Sequence, residues 1–322
     1  MKDTRQKENA VFALDTGDLL FRKYSKAYSA EDQERAIQRA HLIVKSLNMI
    51  GYDAVGIGDD DLSLGIDFLL KISRETKVPF LSSNLVDEKS DKLLFPPYLI
   101  KEVRGFRVGM FSLLSPEVFL GQADERKKGI TLRNPIETAR NMVAELKPKS
   151  DLIILLSHLS YPKDVQLAQT VPGIHIIAGG HSGIHLAHPP VLQNTIIVQT
   201  SGKGMYGGRL ELTLFRSQIE IYNISAKRSL ERNLLNLKNR LAMRYLSETE
   251  KAQLKRSKED IEQKLAQFKG KNFFINTLSP LDAQIKDDPE IKKIVDEYKS
   301  KFPDKGPPLL HDSRGNYTPK AQ

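Results

Sequence analysis

The sequence contains no cysteine in its 322 residues. This absence excludes disulfide bonds, thiolate metal ligands, a cysteine nucleophile and covalently attached haem within these residues, although it does not identify the cellular compartment. The sequence also lacks any run of the roughly 20 consecutive apolar residues that a membrane-spanning helix requires. Residues 1–9 are almost all polar, so no signal peptide is recognisable in the sequence as it stands, and we expect no membrane span.

Strong charge is also missing from most of the chain. The formal net charge of +9 arises mainly from residues 227–271, where thirteen Lys or Arg residues against six Asp or Glu residues give +7. A charged run within a helical pattern is more typical of a solvated helix face than of a surface for nucleic acid or anionic lipid. We therefore expect no specific nucleic-acid partner. Because 40% of the residues are hydrophobic, the chain can bury a sizeable core as a soluble, globular protein.

Short apolar runs rich in β-forming residues alternate with helical patterns as far as Asn223, which is typical of an α/β domain. Apolar residues at helical spacing predict a helix over Ala30–Ile50, and Gly51 ends it. Further helices are expected at Leu64–Thr76 and Pro135–Leu146. The predicted strands are Val11–Leu14, Ala54–Ile57, Phe80–Ser82, Phe106–Leu113, Leu152–Leu156, Ile174–Ala178, Thr195–Gln199 and Gly208–Phe215, with Gln218–Asn223 as a hairpin partner of the last.

The pattern then changes to long polar helices. Leucines recur at coiled-coil spacing over Leu230–Leu241, and apolar residues do so again over Leu254–Phe268. This spacing predicts an antiparallel helical hairpin of about Ser229–Tyr245 and Glu248–Phe268, and a short helix is expected at Asp288–Tyr298. The end of the chain is rich in Pro, Gly and polar residues, as in a linker. The predicted organisation is an α/β domain over 1–223, the hairpin and short helix over 224–301, and a linker-like tail over 302–322.

Polar or glycine-rich turns follow the apolar runs at five places. In an open sheet, side chains just beyond the carboxyl ends of the strands converge on one edge, where ligands bind. Carboxylates and imidazoles at such an edge are good ligands for Zn, Mn, Fe or Ni, which suggests a metal centre. Taken singly, the same residues also fit helix caps, an acidic turn or hydrogen-bonded histidines at strand ends. The five turns are Asp15–Asp18, Gly58–Asp61, Ser82–Asn84, Ser157–His158 and Gly179–Gly183.

Ordered sequence blocks resemble a known family, the calcineurin-like metallophosphoesterases and in particular their 5'-nucleotidase branch. DTGDLL at Asp15–Leu20 resembles the family's GD motif, and DAVGIGDDDLSLG at Asp53–Gly65 stands where the family has a GNH block. IVQTSGKGMYGGRLEL at Ile197–Leu212 resembles the nucleotidase segment IVQAGxxGxxxGRLxL. The resemblance implies a sandwich of two mixed β-sheets flanked by helices, here with a C-terminal helical hairpin. The intervening blocks are VPFLSSNLVD at Val78–Asp87, DLIILLSHLS at Asp151–Ser160 and VPGIHIIAGGHSG at Val171–Gly183.

The resemblance also implies a site. The family binds two metal ions, which position phosphate and lower the pKa of an attacking water. By this resemblance Asp18 is the bridging carboxylate, and Asp59 stands at the position of a metal-binding Asn. His158 and His181 are then ligands of the same ion, and Asn84 is a candidate substrate-binding residue. With oxygen and nitrogen ligands only, we expect one ion at most, Mn, Zn or Fe.

Departures from the family pattern bear on activity. The second His of the GHxH motif is Gly183, the proton-donating His of GNH is Asp60, and the Asp that orients that His is Ser63. An ionised carboxylate beside a phosphate cannot act as the acid. We therefore expect a 5'-nucleotidase-like domain that is weak or inactive as a phosphoesterase. The alternatives are an active enzyme on a nucleotide or other phosphate ester, with ligands from upstream residues or His185, and a protein-interaction module whose contact surface is Arg228–Lys269.

The family's first strand, which carries an Asp-x-His pair, is also missing. Because that strand lies inside the family's sheet, we expect the sequence to be a fragment or to begin at a displaced start. The strand at Val11–Leu14 is then expected at an exposed edge, with a tendency of the protein to self-associate. The hairpin and linker also resemble nucleotidase-like domains joined to multihaem cytochromes of the bacterial envelope, and the family resemblance favours the periplasm or cell envelope.

Overall fold

The computed structural model describes residues 1–8, 10–22, 24, 29–121, 123–215, 221–242, 245–303, 310–311 and 317–318. None of the helices in these ranges is long and apolar enough to cross a membrane. The helices are α1 Lys2–Lys7, α2 Ala30–Ile50, α3 Ile66–Ser73, α4 Pro135–Leu146, α5 Tyr161–Thr170, α6 Ile224–Leu241, α7 Glu248–Ala266 and α8 Pro289–Lys301. The strands are β1 Leu14–Asp15, β2 Ala54–Gly56, β3 Phe80–Leu81, β4 Leu85–Asp87, β5 Tyr98–Val103, β6 Phe106–Leu114, β7 Ile130–Leu132, β8 Leu152–His158, β9 Ile176–Gly179, β10 Val191–Leu192, β11 Thr195–Gln199, β12 Tyr206–Thr213, β13 Ile221–Asn223, β14 Asn272–Pro280, β15 Leu310–His311 and β16 Tyr317–Thr318.

Two sheets face each other across an apolar layer. One is a six-stranded mixed sheet in the order β10-β11-β9-β8-β6-β5, and the other is the parallel sheet β1-β2-β3. Side chains alternate along the central strands, as the period of a strand requires. Met110 and Ile154 pack with Ala54 between the sheets, whereas Phe111 and Leu155 pack on the opposite face of the larger sheet. This arrangement confirms the expected α/β sandwich.

Helices cover the outer face of each sheet. The helix α2 begins at Ser29, whose side chain accepts a hydrogen bond from the backbone of Asp32, and it ends at Gly51 in the left-handed conformation with φ of 80°. Its residues Ala40 and Val44 are buried one turn apart in the core that also contains Val55 of β2. Helices α4 and α5 cover the larger sheet in the same way.

The parallel direction of neighbouring strands brings the polar turns to one edge of each sheet. Strands β1 and β2 are parallel neighbours, and so are β6, β8 and β9. The turns after β1 and β2 therefore lie at one edge of the smaller sheet, and the end of β8 and the turn after β9 lie at one edge of the larger sheet. The four positions Asp18, Asp59, His158 and His181 follow or end these strands.

The first strand is shorter than predicted and shifted, since β1 covers Leu14–Asp15 instead of Val11–Leu14. Among the described residues it pairs only with β2, so the expected edge position is confirmed. Arg5 of α1 lies beside this edge and donates a hydrogen bond to the backbone oxygen of Val11. Self-association of the protein stays a prediction.

The segment after Asn223 is only partly as predicted. Helices α6 and α7 form the expected hairpin, in which Leu254 is buried and the other seam residues are partly buried. The expectation of helices alone is wrong over Asn272–Pro280, which forms β14. This strand lies between β12 and β13, so the predicted direct pairing of Gln218–Asn223 with Gly208–Phe215 is wrong for Ile221–Asn223, and its first three residues lie outside the described residues. The fully buried Phe274 explains the result, because it packs in the core between the sheets.

The tail predicted as a linker, 302–322, lies largely outside the described residues. Within it, Leu310–His311 pairs with Tyr317–Thr318 in an antiparallel ladder.

Candidate metal centre

Side chains from four strand ends converge on one point of the sandwich. Asp18, Asp59, His158 and His181 each offer one potential ligand atom, and these atoms all lie within 4.8 Å of one another. Nε2 of His158 is 3.2 Å from a carboxylate oxygen of Asp18 and 3.3 Å from Oδ1 of Asp59. Nδ1 of His181 is 3.4 Å from the same Oδ1. The structure thus brings together all four residues that the sequence suggested as ligands.

His158 is held in one orientation. Its side chain is 1% exposed, and its Nδ1 lies 3.0 Å from the backbone oxygen of Thr16, which leaves Nε2 directed at the two carboxylates. A hydrogen bond of this kind fixes which ring nitrogen is available to a metal. Burial lowers the pKa of His158, but hydrogen bonds to Asp18 and Asp59 outweigh it and raise the pKa to about 10. The two carboxylates therefore favour the protonated imidazole.

The backbone at two of the four residues is strained. Asp18 has φ of 60° and His181 has φ of 63°, which is the left-handed region that residues other than glycine rarely occupy. Such conformations cost of order 1–3 kcal/mol and persist only where the surroundings impose them. At Asp18 the surroundings are the turn after β2, since Oδ1 of Asp18 accepts a hydrogen bond of 2.8 Å from the backbone of Asp60.

A buried carboxylate joins the turn after β1 to the turn after β2. Asp61 is fully buried and accepts hydrogen bonds from the backbone N–H groups of Asp18, Leu19, Leu20 and Gly58. Burial and the charge of Asp18 raise the pKa of Asp61 to about 7, and the backbone N–H groups of Leu20, Gly58 and Asp18 oppose this by favouring the charged form. Asp61 therefore fixes the backbone on which Asp18 is carried.

Arg126 is a buried residue beside the cluster that the sequence did not indicate. It lies in the connection between β6 and β7, and its side chain is 3% exposed. Its guanidinium is 2.6 Å from Oδ2 of Asp59, 3.0 Å from Oδ1 of Asp60 and 2.7 Å from Oδ2 of Asp124. Burial raises the pKa of Asp59, but hydrogen bonds from the two histidines and the charge of Arg126 hold it well below its usual range.

Asp60, at the family's proton-donor position, faces this arginine. Its Oδ1 accepts hydrogen bonds from Arg126 and, at 2.9 Å, from the backbone of Tyr24. Burial and the charge of Asp18 raise the pKa of Asp60, whereas Arg126 and the Tyr24 N–H lower it. Ser63, which replaces the orienting Asp, donates a hydrogen bond to the backbone oxygen of Asp60.

Asn84, the candidate substrate-binding residue, is hydrogen-bonded within the protein. Its side chain is fully buried, and its amide nitrogen donates to the backbone oxygens of Leu114 and Arg133. Its amide oxygen accepts from the backbone of Leu114. These bonds join the start of β4 to the end of β6, and they occupy both donors of the amide.

His185, considered as a replacement for the ligand missing at Gly183, is not one of the four clustered residues. Its ring packs edge-on against Tyr206 with 4.6 Å between the ring centroids.

Comparisons with known proteins agree with the fold. No protein-family model matches the chain. In sequence it is similar to the 5'-nucleotidase of Vibrio cholerae serotype O1, with 30% identity over 224 residues that cover 59% of this chain and 40% of that protein. In structure it is similar to a 5'-nucleotidase precursor from Thermus thermophilus, with a TM-score of 0.63, 20% identity, and coverage of 93% of this chain and 51% of that one. It is also similar to the calcineurin-like phosphoesterase YfkN from Bacillus subtilis, with a TM-score of 0.62, 17% identity, and coverage of 93% and 86%. The chain therefore spans less than half the length of the Vibrio relative.

Proposed function

We propose that this chain, which is a 5'-nucleotidase-like domain with the calcineurin-like metallophosphoesterase fold, holds one divalent metal ion at Asp18, Asp59, His158 and His181. The observation that carries the proposal is the convergence of two carboxylates and two imidazoles within 4.8 Å at four strand ends. Two carboxylates balance the charge of a divalent ion. The imidazoles favour Mn, Zn or Fe over Ca, which prefers oxygen ligands alone.

The residues of the chain have distinct parts in such a site. His158 presents Nε2 because Thr16 accepts from its other nitrogen, and Asp18 is held by the backbone of Asp60. When bound, the ion supplies Lewis acidity toward a phosphate oxygen. A nucleotide or another phosphate ester is the substrate class that this fold and this donor set favour.

We further propose that hydrolysis by this chain is weak or absent. Asp60 replaces the family's proton donor, and its Oδ1 is held by hydrogen bonds from Arg126 and the Tyr24 N–H, although burial raises its pKa overall. A carboxyl held in this way differs from the imidazole that gives a proton to the leaving group in the family. Gly183 has no side chain to bind a second ion. An active enzyme would need ligands from elsewhere, and the position of His185 against Tyr206 does not favour that residue as the source.

The experiment combines metal analysis with an activity assay. The purified chain is stripped with chelator, reloaded with Mn, Zn or Fe, and assayed on a nucleoside monophosphate and on p-nitrophenyl phosphate. We expect one ion per chain and turnover far below that of a two-metal relative under the same conditions. The variant His181→Gln is expected to lose the ion, whereas His188→Gln, at an exposed histidine, keeps it.

Two outcomes contradict the proposal in different ways. A chain that binds no ion after reloading overturns the metal site. Brisk hydrolysis that disappears in His181→Gln supports the active alternative, and it gives Asp60 a chemical role.

The hairpin of α6 and α7 supports a second, compatible proposal, that the chain also binds a protein partner. Leu235 is 58% exposed on α6, and Arg228 and Arg232 are exposed one turn apart on the same helix. Capture of a partner by the chain, lost in an Arg228→Glu, Arg232→Glu double variant that still binds metal, is the test. The periplasm or cell envelope is the location that the family resemblance favours for such a partner.

A further inference from the structure

The contacts of Arg126 fix the position of its guanidinium as well as balancing charge. Its Nε and Nη2 bind the two oxygens of Asp124, at 3.0 Å and 2.7 Å, in the paired geometry that arginine forms with a carboxylate. Asp124 is itself fixed, because its oxygens accept from the backbone N–H groups of Leu120 and Arg126 at 2.7 Å and 3.1 Å. One edge of the guanidinium is therefore attached to the β6–β7 connection.

Aromatic rings fix the plane of the same group. The centre of the guanidinium lies 4.5 Å from the ring centroid of Tyr24 and 5.3 Å from that of Phe119. A cation over an aromatic face is attracted by the ring, most strongly where water is excluded. With Asp124 on one edge and two rings nearby, only Nη1 is left to reach toward the metal cluster.

Nη1 meets Asp59 at a single oxygen. It lies 2.6 Å from Oδ2 of Asp59, whereas Oδ1 of the same carboxylate faces His158 and His181 at 3.3 Å and 3.4 Å. The two oxygens of Asp59 thus have different partners. A carboxylate without such a contact can turn, or can bind a metal through both oxygens.

We propose that Arg126 is a positioning residue that restricts Asp59 to binding a metal through Oδ1 alone. The inference rests on the proposed metal site, and it explains why an arginine is buried beside the four ligands. Asp59 stands where the related family has a neutral Asn, so the same contact also offsets the charge that Asp59 brings. Groups that orient metal ligands in this way typically affect metal affinity by about 10- to 100-fold.

The test uses cobalt(II), whose visible absorption weakens when its coordination number rises. Affinity and spectrum are measured for the full chain and for the variants Arg126→Met, Arg126→Lys and Asp124→Asn. We expect Arg126→Met to bind cobalt about 10-fold or more weakly, with a less intense band. Arg126→Lys keeps the charge but cannot hold Asp124 and Asp59 together, so we expect a similar loss.

A purely electrostatic effect of Arg126 predicts different affinities for these two variants. If Arg126 acted only through its charge, its removal in Arg126→Met would tighten cobalt binding, and Arg126→Lys would bind like the unmodified chain. The variant Arg133→Met, at an arginine that is 44% exposed and paired with Asp91, is the control and should bind normally. Circular dichroism of each metal-free variant shows whether it is folded.

Loss of a buried ion pair can unfold a protein, so Asp124→Asn provides the milder change. It keeps Arg126, Asp59 and Asp60 and loosens only the attachment, and we expect a smaller loss of affinity in the same direction. Failure of the unmodified chain to bind cobalt contradicts the proposed function itself. Normal binding together with an unchanged affinity and spectrum in folded Arg126→Met and Asp124→Asn contradicts the positioning role alone.

Discussion

Replacing Gly58 with alanine tests how closely the turn after β1 lies against the turn after β2. A β-carbon on Gly58 would overlap Oδ1 of Asp18 and would lie 2.5 Å from the backbone nitrogen of Asp18. Carbon and oxygen atoms ordinarily approach to about 3.3 Å, so the two turns must separate by about 1 Å. The displaced residue is one of the four proposed metal ligands, and both the stability of the protein and its metal affinity should fall.

The size of the effect follows from the hydrogen bonds that join the turns. The backbone of Asp18 donates to Asp61 at 2.8 Å, and the backbone of Asp60 donates to Asp18 at 2.8 Å. At pH 8, above the raised pKa of about 7 of Asp61, each of these bonds involves a charged carboxylate and contributes about 1.5 kcal/mol or more. Loss of both lowers the free energy of unfolding by about 3 kcal/mol, which corresponds to a fall in Tm of roughly 6–12 °C for a domain of this size.

The assay is thermal unfolding in chelator, followed by a cobalt titration. The matched control is Gly207→Ala, since a β-carbon there would lie 3.5 Å from the nearest atom of Leu281, an ordinary contact. We expect this control to change the free energy of unfolding by less than about 0.5 kcal/mol. If Gly58→Ala unfolds at the same temperature as the unmodified chain and binds cobalt as tightly, the close approach of the two turns is refuted.

Three further predictions concern the core and pH. Phe274→Ala should lower the free energy of unfolding by about 3–5 kcal/mol because Phe274 is fully buried, whereas Phe215→Ala, at a side chain that is 60% exposed, should have little effect; denaturant titration measures both. Burial raises the pKa of Asp164 to about 7, so stability falls as the pH rises from about 4 to about 7, where the unfolded chain ionises this carboxyl and the folded chain keeps it protonated. Asp164→Asn should therefore lose less stability between pH 5 and pH 8 than the unmodified chain. In chelator, the raised pKa of His158 gives stability that is present below about pH 6.5 and lost as the pH rises to about 10. His158→Gln should flatten that dependence, and the opposite result contradicts the imidazolium pair with Asp18 and Asp59.

The sequence predicted those site residues that are of a metal-binding type and also lie at the end of a strand. Asp18 and Asp59 follow β1 and β2, and His158 ends β8, so the rule that ligands gather at the carboxyl ends of strands suggested a metal centre at this edge, and the family resemblance then named the four ligands. Arg126 could not be found in that way. It lies in an irregular connection between strands, and its partners Asp59 and Asp60 are more than 60 positions earlier in the chain.

The fold was also predicted only in part, namely for the elements that have a clear local sequence pattern. Periodicity predicted α2, α4 and the helical hairpin, because long amphipathic helices leave a clear pattern. Strand β14 was missed although Phe273, Phe274 and Ile275 form a β-rich run between Gly270 and Pro280, which is a recognisable strand signal. Its pairing with β12 depends on contacts with residues 60 to 74 positions away, and local sequence carries no information about such pairing. Short strands such as β4 and β10 leave too few residues for a pattern.

The parallel pairing of β13 with β14 explains why the helical hairpin exists at all. Two parallel neighbours cannot be joined by a tight turn, because the chain must travel back to the end of the sheet at which the first strand began. Helices α6 and α7 are this crossover connection. They have 18 and 19 residues, so the chain runs roughly 27 Å outward and roughly 29 Å back at 1.5 Å per residue. The pairing of β13 with β14 fixes where this connection begins and ends but not its length, so matched shortening of both helices is expected to leave that pairing intact.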